Sequence, residues 1–207
     1  MSIERYLLLG AGGHGMVVLD ALQSCGPQID ICVVDESVDL IGKRVLGTIV
    51  ERFDPTVKRT EQRFHVSIGG NAVRARIFEA LKVLGGLPST IVHPIATIAR
   101  SAVIADGTFV AARAIIAPAA TIGEGVIVNH GAIVDHECVV HNHCHIAPGA
   151  TLAGNVRLGS RVLIGAGANI LPGITIGDDA TIGAGAVVTV DVPPGMTYAG
   201  VPARKIR

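Results

Sequence analysis

The chain has 207 residues, of which 49% are hydrophobic, with 17 Lys and Arg balanced by 17 Asp and Glu. That much apolar material buries a core and excludes disorder, and a balanced charge without basic runs excludes the electrostatic footprint of nucleic-acid or anionic-membrane binding. No apolar stretch approaches the roughly twenty residues of a membrane span, and "MSIERYLLLGAGGHG" reaches glycine too early for a signal peptide, so a cytoplasmic protein is expected.

In chain order, "RYLLLGAGGHGMVVLDAL" predicts a hydrophobic strand, a turn with Gly10, Gly12 and Gly15 at GxGxxG spacing, and a helix with apolar residues at helical spacing through Leu22. "IDICVVD" is a second strand ending at Asp35, which completes a βαβ unit. Such glycines allow a tight turn and bring backbone N–H groups to phosphate oxygens at a helix start, while an acidic residue about twenty positions on reaches ribose hydroxyls. "FHVSIGGNAVRARIFEALKVLG" repeats strand, glycine turn and helix. A small Rossmann-like α/β domain is therefore expected over residues 1–88, with "GGLPSTIVHP" as the joint to a second domain over 89–207.

The second domain has another rhythm. Read in blocks of six from Thr97, it runs TIARSA VIADGT FVAARA IIAPAA TIGEGV IVNHGA IVDHEC VVHNHC HIAPGA TLAGNV RLGSRV LIGAGA NILPGI TIGDDA TIGAGA VVTVDV. The second letter of all sixteen blocks is Ile, Val or Leu, and the sixth is mostly small. Six fits neither a 3.6-residue helix nor a long uniform strand. It fits a parallel β-solenoid in which each block is a short strand and a corner, three blocks close a triangular coil, and residues eighteen apart stack in columns. The narrow coil leaves little room for rings, which explains a chain with two Tyr, four Phe and no Trp.

"VNHGAIVDHECVVHNHCH" holds five of the eight histidines. In coil geometry His130 and His136 hold the same letter of successive blocks and lie on different faces, and the residues stacked on His136, Pro118 and Gly154, cannot ligate. No metal is expected within one chain; a zinc site shared between chains, as in the hexapeptide-repeat carbonic anhydrases, is the alternative. His141 and His143 are expected to face solvent or a neighbouring subunit. His136, flanked by Asp135 and Glu137 among small residues, has the makings of a general base, since a carboxylate beside an imidazole fixes its tautomer and stabilises its protonated form. Cys25, Cys32, Cys138 and Cys144 form no CxxC pair and are expected as small buried apolar residues. Cys138 sits beside His136 but at an inward sixth letter, so a covalent role is not expected.

"GAGGHG", then "SIGGNAVR", then a solenoid carrying "NHGAIVDHECVV", together with "TIGAGAVV" and "GVPARKI", resemble the sugar acetyltransferases of the PglD/NeuD family over nearly the whole chain. The resemblance implies a left-handed β-helix, a homotrimer and transfer of acetyl from acetyl-CoA to the amino group of a nucleotide-linked aminodeoxysugar, without metal. It places the family's His–Glu pair on His136 and Glu137, its second active-site histidine on His145, and the N–H that receives thioester oxygen charge on Gly154. It implies CoA held by main-chain amides at Gly154, Ala166 and Ala184. In the N-terminal domain it places Gly12, Gly13 and His14 near phosphate, Asp35 near ribose or base, and Asn71 and Asn129 around the sugar nucleotide, so that NAD gives way to a sugar nucleotide. Two positions depart from the family: Met16, where relatives often carry Lys or Arg, and His130, where they carry Thr.

The leading expectation is N-acetylation of a nucleotide-linked 4-amino-4,6-dideoxy sugar in glycan biosynthesis, with uridine, guanosine and thymidine nucleotides all open. The alternatives are O-acetylation of sialic acid or a related sugar, and a non-enzymatic nucleotide-sensing scaffold.

Overall fold

A computed structural model describes residues 5–26 and 30–206. The N-terminal part is a sheet of β1 (Arg5–Leu9), β2 (Asp30–Asp35), β3 (Arg44–Val45), β4 (Thr48–Arg52), β5 (Arg63–Val66) and β6 (Leu87–Pro88), in the order β3-β4-β2-β1-β5-β6. Its pairings are parallel except the β3–β4 hairpin. Helix α1 (Gly13–Ser24) packs Val18, Leu19 and Leu22 on one face, and α2 (Asn71–Val83) packs Phe78 and Leu81 on the other. The glycine turn is needed sterically: a Cβ on Gly15 would lie 2.0 Å from the Gly10 carbonyl oxygen. Gly10 itself has φ +110°, a conformation L side chains rarely adopt.

From Ile91 to Val188 the chain is a parallel β-solenoid of two-residue strands with the expected register of eighteen, as in Phe109↔Ile127↔His145↔Leu163↔Thr181, and it ends in an antiparallel pair of Thr197–Ala199 with Arg204–Lys205. The second letters from Val110 to Val188 are at most 1% exposed and form one continuous core with sixth-letter Ala, Val and Cys. Cys138 and Cys144 belong to that core, so burial raises both thiols, Cys144 to about 12.

The corners follow one hydrogen-bonding rule. The third-letter N–H donates to the next coil, as Ala153 does to Ile170, and the fifth-letter N–H donates to the preceding coil, as Asn155 does to His136. The fourth-letter amide has no ladder partner. Pro118, Pro148 and Pro172 occupy fourth letters for that reason, since proline loses nothing where no N–H is used. Fifth letters from Gly107 to Gly185 take positive φ, including Glu137 at +60° and His143 at +58°.

The N-terminal domain docks on one face of the coil, covering the outward first letters Phe109 and Ile127, which are 0% and 1% exposed and pack with the α1 core. Two expectations are corrected here. His143 does not face solvent: α2 covers its corner, the imidazole is 6% exposed, and it packs edge-on to Phe78 at 5.1 Å. Cys25 is exposed at the end of α1, where its Sγ–H donates to the Ala21 carbonyl at 3.3 Å, because the helix terminates before the next apolar face position. No described helix is long and apolar enough to cross a membrane.

Candidate active site

One corner of the coil carries His136, Glu137 and Gly154. The His136 amide donates to Asp135 Oδ1 at 2.7 Å, fixing the backbone, and its Nδ1 lies 3.1 Å from Glu137 Oε2. A carboxylate only accepts, so Nδ1 carries a proton, and in the neutral form of the ring the lone pair falls on Nε2. The ring lies against Gly154, where a Cβ would sit 2.6 Å from Nε2. Glycine is therefore the residue that lets the imidazole lie flat on the next coil. An open cleft of about 460 Å³ passes this corner, lined by Asp135, His136, Ala153, Gly154, Asn155, Pro172 and Gly173.

Gly154, Ala166 and Ala184 are all fourth letters, and among the described residues none of their amides donates a hydrogen bond. Ala166 and Ala184 are exposed and their small side chains leave the N–H groups reachable, which suits an extended ligand held through carbonyl and phosphate oxygens, whereas Gly154 is buried beneath the His136 ring. Among the described residues there is no cluster of three or more His, Cys, Asp or Glu able to hold a metal.

A second cluster forms where the domains meet. Gly12 caps α1 with no side-chain hydrogen bond and no acidic residue in the first turn, so the amides there are open to an anion. His14, in that turn, stands 6.1 Å ring to ring from His145 and 5.5 Å from Phe109. Burial, with His145 next in effect, pushes the His14 imidazole down to about 3, and burial with Arg74 pushes His145 down to about 4. Both are neutral at physiological pH. Asn129 Nδ2 lies 3.1 Å from His145 Nε2. An amide NH2 group only donates, so this nitrogen of His145 is already engaged as an acceptor.

Asp35, at the end of β2, accepts from Ala11 N–H at 2.7 Å and Ser37 N–H at 2.8 Å, and so ties the glycine turn to the β2 terminus. Asn71 bonds across the joint, its Nδ2 donating to the Arg161 and Val162 carbonyls at 2.9 and 3.0 Å. Gly12, Gly13, His14, Asn129 and His145 are thus brought together. His136 is not among them: it stands at the corner between the other two faces of the coil, whereas His145 lies on the face that carries the N-terminal domain.

Arg74 is the residue that sequence reasoning missed. It is 1% exposed, and its guanidinium donates to the carbonyls of Gly125 (2.8 Å), Ile68 (2.9 Å), Gly69 (3.1 Å), His143 (2.6 Å) and Cys144 (3.1 Å) and to Asn71 Oδ1 (2.8 Å). All these acceptors are neutral, and burial lowers the group to about 10. The signal was its spacing: Arg74, Phe78 and Leu81 fall at i, i+4 and i+7, which puts a charge on the buried stripe of α2.

A hexapeptide solenoid with a histidine–carboxylate pair on a small-residue corner defines a transferase of the hexapeptide-repeat class. Residues 5–81 match the PglD N-terminal domain, and residues 119–154 and 155–189 match the bacterial transferase hexapeptide (six repeats). Among solved structures, perosamine N-acetyltransferase from Caulobacter crescentus, with CoA and GDP-perosamine, is 34% identical over 100% of this chain and 98% of its own (TM-score 0.92). The acetyltransferase domain of PglB from Neisseria gonorrhoeae, with acetyl coenzyme A, is 35% identical over 98% and 99% (TM-score 0.90). WeeI from Acinetobacter baumannii is 25% identical over 97% and 99% (TM-score 0.86). No match was found among curated protein sequences. The chain belongs to the PglD-like family of hexapeptide-repeat acetyltransferases.

Proposed function

We propose that the protein transfers the acetyl group of acetyl-CoA to the amino group of a nucleotide-linked 4-amino-4,6-dideoxy sugar, with His136 as general base. The observation that carries this reading is the His136–Glu137 pair at 3.1 Å, on an open cleft beside an unused amide. Acetyl-CoA supplies a thioester carbonyl there. The residues fit it: the exposed fourth-letter amides of Ala166 and Ala184 are open donors for CoA oxygens, and the Gly154 amide, beneath the His136 ring, has no hydrogen-bond acceptor among the described residues.

An amine attacking a thioester sheds a proton as the nitrogen–carbon bond forms and the carbon–sulfur bond breaks. His136 Nε2 takes that proton, Glu137 steadies the resulting imidazolium, and the imidazolium then returns the proton to the departing sulfur. The Gly154 N–H receives the charge that gathers on the carbonyl oxygen. No protein nucleophile is required, in keeping with Cys138, whose Sγ–H is spent inside the core on the Ala153 carbonyl at 3.2 Å. His145 serves as a positioning group, since its Nε2 already accepts from Asn129.

Gly12, Gly13 and His14 are assigned to the phosphates of the sugar nucleotide, Asp35 to its ribose or base, and Asn71 and Asn129 to its surroundings. Because His136 and His145 lie on different sides of one coil, a site using both draws them from two chains, and a homotrimer supplies that arrangement. Exposed Val103 (62%) and Ile115 (39%) give the two faces beside the His136 corner apolar surface for the contact. The cytoplasm, as a source of acetyl-CoA and nucleotide sugars, is the assigned location.

The test supplies acetyl-CoA with aminosugars linked to UDP, GDP or dTDP and, separately, with sialic acid, and follows release of free CoA. Release only with a nucleotide aminosugar supports the reading. Release only with sialic acid replaces it with O-acetylation, and none with any acceptor favours a nucleotide-sensing scaffold.

A further inference from the structure

The cluster of Gly12, Gly13, His14, Asn129 and His145 contains no lysine or arginine. Burial keeps His14 neutral, and Arg74 spends its guanidinium on carbonyls and Asn71. A helix N-terminus offers only about half an elementary charge to a diphosphate that carries two. The early coils hold two guanidinium groups without such commitments. Arg100 and Arg113 are exposed, and among the described residues neither makes a side-chain hydrogen bond or an ion pair. Arg100 is a fourth letter in the column of His136, two coils earlier, with Pro118 between them. Arg113 is a fifth letter on the neighbouring corner, in a column that continues as Gly131, Gly149, Gly167 and Gly185. These five residues have φ from +61° to +67°, so Arg113 alone among them carries a side chain where the backbone favours glycine. Four residues earlier, Phe109 packs against His14 with ring centroids 5.5 Å apart, so the Arg113 corner closes the face on which α1 sits.

We propose that Arg100 of one chain and Arg113 of the next clamp the diphosphate of the acceptor from opposite walls of the groove between them. The inference rests on the two-chain site above, in which the His136 corner of one chain faces the α1 joint of another, and it adds the cations that site lacks. CoA in that reading lies over the later coils, from Gly154 to Ala184. The acceptor therefore enters over the earlier ones, where the N-terminal domain is seated on Phe109 and Ile127. Parallel strands stack at about 4.8 Å, so Arg100 stands roughly 10 Å along the corner from His136. A threefold axis along the coil keeps equivalent coils level, so Arg113 of the facing chain, one coil before Gly131, falls between His136 and Arg100 in height. The amine on C4 of a pyranose and the phosphate on its C1 stand at opposite ends of the ring. With the amine at His136 Nε2, the two phosphates extend over this interval, and a guanidinium fork binds phosphate oxygens in pairs.

The test is steady-state kinetics of the full-length protein with a nucleotide aminosugar and acetyl-CoA, beside Arg100→Gln, Arg100→Lys and Arg113→Gly. Both arginines are exposed and glycine suits the positive φ at 113, so the coil is preserved. The expected result is a KM for the nucleotide aminosugar at least about tenfold higher in Arg100→Gln and in Arg113→Gly, the scale of one lost charge-assisted hydrogen bond, with the KM for acetyl-CoA unchanged. Arg100→Lys should keep part of the acceptor affinity. Inorganic pyrophosphate should compete with the acceptor in the wild-type protein and lose that ability in Arg100→Gln and Arg113→Gly. Wild-type acceptor KM and pyrophosphate inhibition in those two variants overturn the proposal. So does sedimentation showing that the substitutions dissociate the oligomer, which would make the arginines subunit contacts instead. Either result leaves acetyl transfer intact, whereas absence of turnover in the wild-type protein with every acceptor overturns both readings together.

Discussion

His136 and Gly154, eighteen residues apart, occupy the same corner of consecutive coils, and the imidazole rests where the side chain of residue 154 would stand. A Cβ there would fall 2.5 Å from Cε1 and 2.6 Å from Nε2. Gly154 does not have positive φ, so its backbone tolerates alanine. Gly154→Ala therefore moves the ring without removing it. The expected outcome is a fall in kcat of roughly 10²-fold, the scale set by small misplacements of reacting groups, with a nearly unchanged melting temperature. Wild-type turnover in this variant would show that the ring position against residue 154 is not part of catalysis.

Removing the base outright has a larger effect. His136→Ala is expected to lower kcat by about 10²- to 10⁴-fold, and Glu137→Gln by less, because the amide still holds the ring but no longer stabilises its charge. Both residues are exposed on the corner, so neither change unfolds the coil. Steady-state kinetics with the melting temperature as control separates loss of chemistry from loss of structure; near-normal turnover in His136→Ala reassigns the base.

Arg74 joins the domains through one buried cation. Arg74→Met leaves carbonyls on both sides of the joint without a donor, at about 1–3 kcal/mol for each acceptor that water does not reach. A clear fall in melting temperature is expected, together with faster proteolysis between the domains. Arg74→Lys should recover only part of the loss, since an ammonium has three donors and no planar fork. Equal stability of the Met, Lys and wild-type proteins would mean that the carbonyl cage does not secure the joint.

The buried histidines set a pH dependence. Burial lowers His14 to about 3 and His65, His143 and His145 to about 4, from an ordinary value of 6.5. Between those values the unfolded chain binds protons that the folded chain refuses, so stability is complete above pH 6.5 and is lost as pH falls toward 4. Arg74 beside His143 and His145 adds to the lowering, while Glu124 opposes it at His143. Melting temperatures should decline steadily from pH 7 to pH 4.5. A flat profile would show that these imidazoles take up protons in the folded protein without penalty.

The solenoid was legible because its information is local and repeated. Inward Ile, Val and Leu at every second letter, mostly small residues at the sixth and proline at some corners where an amide goes unused state the coil again from block to block, and the stacking of His136 on Gly154 follows by counting eighteen. The glycine turn and βαβ unit were legible for a similar reason, since Gly10, Gly15 and Asp35 act over short stretches of chain. Docking is different. His143 reads as an outward fifth letter in every coil, and only the packing of α2 on that corner buries it against Phe78. Arg74 reads as one polar residue in a helix, until three segments of chain converge to surround it with carbonyls. The sequence by itself determined the period, the corner chemistry and the His–Glu pair. Tertiary structure alone decided that His14 meets His145 and that His136 stands apart from both, because the face of a triangular coil on which a second domain settles depends on surfaces far apart in the chain.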